Sequence, residues 1–225
     1  MVVKPSEVAP FSVFLLAEVL DELGLPPGVV NVVTGEGGTV GEALVAHHEV
    51  DRISFTGSTP AGRRISEIAA ARVKPLAMEL GGNSAAVVLD DADLEEAITV
   101  TLSQCYQNAG QTCNALTRLL VPRSRLAEAE RIAAAAAAEY RPERPFEEGS
   151  TLGPLASEDQ FRRVRSLIDR GIEEGARLVH GGAGRPKGLE QGYFVAPTVF
   201  LGRIRGHGDR AGGDLRLGRG AHRVR

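Results

Sequence analysis

The chain has no tryptophan, only two cysteines, and few aromatic residues, seven Phe and three Tyr among 225 residues. Two cysteines, Cys105 and Cys113, are too few for a disulfide framework and lack CxxC spacing, so free thiols are expected. No apolar run approaches the ~20 residues that cross a bilayer. The start, Met1-Val2-Val3-Lys4-Pro5, lacks the apolar stretch of a signal peptide, which points to the cytoplasm. An excess of charge is also missing. The formal net charge is −3, which makes no electrostatic case for binding nucleic acid or a membrane surface. The five histidines (His47, His48, His180, His207, His222) show no ligand spacing, so no metal site is expected. What remains, 43% hydrophobic and 24% charged residues, is the balance of an ordinary globular chain long enough to bury a core.

The first part alternates helix and strand patterns. Apolar residues at helical spacing (Phe11, Phe14, Leu15, Val19) predict a helix over 11–23, with Gly24 as its stop. The turn Pro26-Pro27-Gly28 precedes a β-branched run over 29–33 that reads as a buried strand. Helices are expected over 41–46 and 61–71, and strands over 52–56, 76–80 and 85–89. This βαβα rhythm predicts a mostly parallel sheet covered by helices. A helix over 94–108 with Asp93 as N-cap should follow. Beyond it come a strand over 118–121, an alanine-rich helix over 124–140, a Pro- and Gly-containing loop over 141–153, and a helix over 157–174. The last twenty residues hold six Gly and five Arg and continue no periodicity, so residues 206–225 read as a disordered basic tail.

Four segments could carry chemistry. Cys113 ends Asn108-Ala109-Gly110-Gln111-Thr112-Cys113, just after a predicted helix, where small residues admit a substrate close to the backbone. Its thiolate would be a strong nucleophile, and its backbone N–H could hold an oxyanion. The plain alternative is a buried inert thiol, and that alternative is preferred for Cys105, inside an apolar helix pattern. Glu79 ends a strand before Gly81-Gly82, a position at the mouth of an α/β sheet. Partial burial there would suit it to base catalysis, and a solvated strand-end carboxylate is the alternative. Phe55-Thr56-Gly57-Ser58 lies between strand and helix, where free N–H groups favour a pyrophosphate. An ordinary N-cap by Ser58 explains it equally. Gly35-Glu36-Gly37 with Gly41 misses the G-x-G-x-x-G spacing and fits a tight turn as well.

The cysteine, glutamate and Phe55–Ser58 segments, with the polar turn Lys4-Pro5-Ser6-Glu7 before the first helix, resemble the aldehyde dehydrogenase superfamily. Lys4-Pro5-Ser6-Glu7, Phe55-Thr56-Gly57-Ser58, Glu79-Leu80-Gly81-Gly82 and Gly110-Gln111-Thr112-Cys113 look like its K-P-S-E, F-T-G-S, glutamate and G-Q-x-C motifs, in family order. Leu152-Gly153-Pro154 and Pro197-Thr198-Val199 continue that order, so the likeness covers about residues 1–205. The resemblance implies an α/β fold. Residues 1–80 would be the later part of a Rossmann-like NAD-binding domain, and residues 81–205 the first part of an α/β catalytic domain. It implies Cys113 as nucleophile and Glu79 as general base in oxidation of a small aldehyde to a carboxylic acid. It assigns Lys4 and Glu7 to the adenine-side ribose, Gly57 and Ser58 to the pyrophosphate, and Gly41, Phe55, Thr56 and Leu80 to the rest of the cofactor site. A carboxylate at Glu7 accepts from ribose hydroxyls and repels a 2′-phosphate, so NAD is expected over NADP. Glu79 also disfavours a CoA-acylating relative.

The chain departs from the pattern. Asn83 stands where many members have lysine. An upstream P-W-N segment, whose Asn completes the oxyanion hole, and a downstream E-E-I-F-G segment are both missing. Loss of one oxyanion donor typically costs about 10²–10³ in rate. Full-length relatives are expected to be homo-oligomers. A catalytically inactive fragment, truncated or frameshifted, is therefore the alternative to an active enzyme. The tail supports a frame error. Back-translated with GC-rich codons and shifted by one base from Gly206, it can read A-T-A-I-A-R-E-E-I-F-G-S-V-A-A-L-I-A-Y, which restores the missing segment. Tyr106, close to Cys113 in the chain, is the one aromatic candidate for a substrate contact, with core packing the preferred role.

Overall fold

The computed structural model describes residues 1–201 and the backbone of Gly213–Gly218. The chain forms two compact units, Met1–Leu80 and Gly81–Arg225.

In the first unit, strand β1 (Val2–Val3) pairs in parallel with β2 (Asn31–Val32). Helix α1 (Phe11–Glu22) joins them and stops where Gly24 takes φ 72, the left-handed conformation that suits glycine after a helix. The expected strand over 29–33 shrinks to Asn31–Val32. Gly28 turns the chain at φ 84, and the Val29 N–H closes that turn onto Pro26 O, so Val29 is spent on the bend. A π turn, Gly37–Gly41, runs into the short helix α2 (Glu42–Ala46). A βαβ unit follows. Strand β3 (Ile53–Gly57), helix α3 (Thr59–Ala70) and strand β4 (Leu76–Leu80) close it, with β3 and β4 parallel.

Among its described residues, the second unit is a five-stranded sheet with three α-helices. Its elements are β5 (Ser84–Val87), α4 (Leu94–Tyr106), β6 (Leu116–Val121), α5 (Leu126–Ala138), α6 (Glu158–Glu173), β7 (Arg177–His180), β8 (Thr198–Leu201) and β9 (Gly213–Gly218). The spatial order is β5-β6-β9-β8-β7. Only β5 and β6 are parallel; the other neighbours are antiparallel, so the parallel arrangement expected from the first part does not extend across this sheet. Asp93 caps α4 by accepting from Glu96 N at 3.0 Å, as its position predicts.

The core lies in this unit. Ile98 and Leu102 of α4 meet Leu119 and Val121 of β6, with Ala129, Ala133 and Ala137 of α5 and Val199 of β8. The three alanines recur every fourth residue, so α5 shows one small-residue stripe and packs closely. A second cluster joins Phe161, Val164 and Ile168 of α6 to Leu155 and Phe200. Each such side chain, once buried, contributes about 1.5–3 kcal/mol.

Three expectations are corrected. Helix α4 ends at Tyr106 rather than at residue 108, because Asn108 and Ala109 take φ 52 and φ 54. Strands β7 and β8 were not expected. Each has four residues, too few for a period-2 pattern, and Thr198, Val199 and Phe200 are all buried. The tail over 206–225 was expected to be disordered, yet Gly213–Gly218 form β9 between β6 and β8. That insertion pairs backbone groups which both neighbours would otherwise leave bare. The rest of the tail lies outside the described residues. Among the described residues, no helix is long and apolar enough to cross a membrane, and no group of His, Cys, Asp and Glu is gathered for a metal.

Candidate active site

The sequence-derived site residues gather at three places. The first is the Lys4 corner. Lys4 Nζ donates to Gly35 O at 2.8 Å, Pro5 O at 2.8 Å and Glu7 Oε2 at 3.2 Å. An ammonium has three protons, and all three face acceptors here. The Glu7 carboxyl is held below the usual carboxylate range by its own backbone N–H first and by Lys4 second. Gly41 joins this corner, since a Cβ there would sit 3.8 Å from Lys4 Cδ and Cε. Lys4, Glu7 and Gly41 are thus brought together at the C-terminal ends of β1 and β2, with an exposed carboxylate beside a largely buried ammonium.

The second place is the C-terminal end of the β3–β4 pair. In register, Phe55 lies opposite Met78, Thr56 opposite Glu79, and Gly57 opposite Leu80. Two motifs separated by more than twenty residues in the sequence are therefore cross-strand neighbours. A Cβ at Gly57 would fall 2.5 Å from Phe55 Cζ, so a larger residue there would have to displace that ring. Ser58 caps α3, its hydroxyl accepting from Ala61 N at 3.4 Å. The plain capping role is thus realised at a long distance, and Pro60 supplies no N–H to that first turn. Leu80 is anchored by Gly62 of α3, where a Cβ would lie 2.7 Å from Leu80 Cδ2. Sequence reasoning missed Gly62; a small residue facing a neighbouring strand leaves no periodic signal. Glu79 is exposed, so the partial burial expected of it is not present.

The third place is the cysteine loop of the second unit. Cys113 is exposed while Cys105 is fully buried, as expected of a thiol inside an apolar helix pattern. The loop begins with three left-handed residues, Asn108 (φ 52), Ala109 (φ 54) and Gly110 (φ 75). For Asn and Ala this conformation costs of order 1–2 kcal/mol per residue. Ala109 packs against both hydrophobic clusters, which offsets the strain. Gly82 lies against the loop, where a Cβ would meet Cys113 O at 2.4 Å. Close backbone approach is the reason for glycine there. Asn83 follows, its Oδ1 accepting from Thr117 Oγ1 at 2.9 Å, a tie between the start of β5 and β6. Tyr106 packs in the core, as preferred from sequence. It donates to Thr198 O at 3.1 Å, and burial raises its phenol well above the ordinary value.

Comparison with known proteins gives one family throughout. Residues 1–204 match the model of the aldehyde dehydrogenase family. A 3-succinoylsemialdehyde-pyridine dehydrogenase from a Pseudomonas species is 52% identical over 200 residues, which cover 89% of this chain and 42% of that protein. A structure of aldehyde dehydrogenase C from Pseudomonas syringae, a Cys-to-Ala variant with NAD+ and octanal, superposes with TM-score 0.87 at 47% identity. It covers 88% of this chain and 41% of that one. The NAD+ complex of an aldehyde dehydrogenase from Bacillus cereus gives TM-score 0.84 at 40% identity, covering 88% and 40%. The chain therefore spans about two fifths of the length of the relatives it matches. The match over 204 of its residues places the chain in the aldehyde dehydrogenase family.

Proposed function

We infer that this chain carries the chemistry-bearing segment of an NAD-dependent aldehyde dehydrogenase, with Cys113 as nucleophile and Glu79 as general base. One observation carries the reading. Cys113 is the exposed thiol of the pair, set at the end of a strained turn whose backbone abuts Gly82, three residues after Glu79 in the chain. Residues 1–80 serve as the later part of the NAD-binding domain and residues 81–205 as the first part of the catalytic domain.

The Cys113 thiolate adds to the aldehyde carbon, and the carbonyl oxygen takes the negative charge. The Cys113 N–H is the donor this chain offers to that oxygen. Bound NAD, which Lys4, Glu7, Gly57 and Ser58 would hold, would supply the hydride acceptor that converts the Cys113 adduct to a thioester. Glu79 then takes a proton from water, whose oxygen attacks the thioester carbon and expels the Cys113 thiolate. The product is a carboxylic acid.

The Lys4 corner fits a ribose. Glu7 offers an ionised acceptor to a diol and repels a 2′-phosphate, which favours NAD over NADP. Lys4 would exchange one of its present acceptors for a hydroxyl. Phe55, Thr56, Gly57, Ser58 and Leu80 line the end of the strand pair that carries Glu79, and there they would hold the pyrophosphate and nicotinamide side. A small aldehyde is the expected partner, with neither nucleic acid nor membrane, and the full-length protein is expected to self-associate. A reducing cytoplasmic setting suits a free catalytic thiol.

The test is NADH formation over a panel of aldehydes. It should be abolished by Cys113→Ala, and product should be acid rather than thioester. The short span relative to the relatives favours a second reading, in which this chain alone binds little NAD and does not turn over. Titration with NAD by calorimetry separates the two: a measurable heat supports the first, and none supports the second.

A further inference from the structure

We propose that Gln111 is the positioning residue of the cysteine loop, a two-ended brace tying that loop to residues 154–156. The inference rests on the reading of Cys113 as nucleophile. The side-chain amide uses both ends. Its Nε2 donates to Asn108 O at 3.0 Å and to Pro154 O at 3.4 Å, and its Oε1 accepts from Ala156 N at 2.8 Å. The backbone N–H of Gln111 also donates to Asn108 O at 3.1 Å. Both bonds to Asn108 close the turn formed by its left-handed backbone, and the bonds to 154 and 156 reach more than forty residues along the chain.

The anchor is flanked by buried side chains. Leu152 belongs to the first hydrophobic cluster and Leu155 to the second, each about 5% exposed. Leu155 N also donates to Tyr193 O at 3.0 Å. The cysteine loop, by contrast, holds two non-glycine residues in a conformation that the free chain disfavours. Packing of Ala109 holds one end of that loop. Gln111, two residues before the thiol, ties the other end to Pro154 and Ala156, beside the buried Leu155. An amide suits the task because it offers a donor and an acceptor at once. An ionised carboxylate offers only acceptors and would face two carbonyls.

The test is amide hydrogen exchange on the full chain, read peptide by peptide, with Gln111→Leu and Gln111→Glu. In Gln111→Leu, exchange should rise together in 108–115 and 152–157, roughly fivefold to tenfold, the loss of about one hydrogen bond. Helices α4 and α6 should be unchanged. In Gln111→Glu, both segments should be deprotected at neutral pH and recover towards wild type below about pH 4, where a protonated carboxyl again donates and accepts. If the leucine variant fails to fold, the glutamate variant carries the comparison across pH. In the aldehyde assay, kcat should fall about tenfold with KM unchanged, since misplacement of a nucleophile acts on the chemical step. Exchange that rises in neither segment, in 108–115 alone, or uniformly over the chain would overturn the proposal, as would an unchanged kcat. The two readings fail separately. Turnover surviving in Cys113→Ala would end the nucleophile assignment, while the exchange pattern would still decide the brace.

Discussion

The two units place their chemistry in opposite settings. In Met1–Leu80 the motif residues sit on two pairs of strands with little buried beneath them. Helix α1 has no buried residue, and Phe11 and Leu15 are 77% and 62% exposed. In Gly81–Arg225 the cysteine loop stands on two hydrophobic clusters, and Ile98, Leu102 and Leu119 are fully buried. Two-stranded sheets are marginal by themselves, whereas a five-stranded sheet packed by helices is not. The difference teaches that the motifs need only strand ends and turns for their local geometry. Resistance to unfolding comes from elsewhere and is unequally shared.

The largest expected effect is in the core of the second unit. Leu102→Ala should lower stability by about 3–4 kcal/mol, while Leu15→Ala, on an exposed face, should stay within about 0.5 kcal/mol. Urea unfolding monitored by far-UV circular dichroism makes the comparison, and equal losses would break it. Next come two glycines. Gly82→Ala forces a Cβ to within 2.4 Å of Cys113 O and should cost about 1–3 kcal/mol. Gly37→Ala meets nothing within 4 Å and should be near neutral or slightly stabilising by thermal melting.

Helix caps give a smaller contrast. Asp93→Ala removes a 3.0 Å cap in the second unit and should cost about 1 kcal/mol. Ser58→Ala removes one of 3.4 Å in the first and should cost less than about half of that. Thermal midpoints of the two variants settle the order. The smallest effect concerns Glu42, whose carboxyl is held below its usual value by the hydrogen bond from Arg64. A carboxyl lowered on folding stabilises above the unfolded value and loses that contribution as pH falls through the lowered one. Glu42→Gln should therefore differ slightly from wild type at pH 7, and that difference should shrink as pH falls below the ordinary carboxylate range, in a salt-sensitive way. A difference that grows on acidification would reverse the assigned sign.

Much of this organisation was legible in the residues. Asp93 and Ser58 announce the starts of α4 and α3 because a cap needs one side chain at one position. The βαβ unit around Phe55 and Glu79 follows from period and turn residues. The register that sets Thr56 beside Glu79 was not legible, since pairing depends on contacts distant in the chain. Gly62 against Leu80 and Gln111 against Ala156 were missed for the same reason: neither has a local signature. The end of α4 at Tyr106 was misjudged because the contacts of the left-handed turn at Asn108 and Ala109, among them Ala109 against two clusters, are made with residues distant in the chain. The exposure of Glu79 shows that a motif identifies a residue type and order without fixing its burial.

The most direct test of the proposed reading is mass spectrometry of chymotryptic peptides of Glu79→Gln after incubation with NAD and whichever aldehyde of the panel supports NADH formation. With the base removed, the thioester should accumulate, so the peptide containing Cys113 should carry the acyl group while that containing Cys105 stays unmodified. Wild-type protein should release the carboxylic acid and show no lasting adduct. An acyl group on another residue, or none on Cys113 while NADH forms, would contradict the pairing of this thiol with this carboxylate.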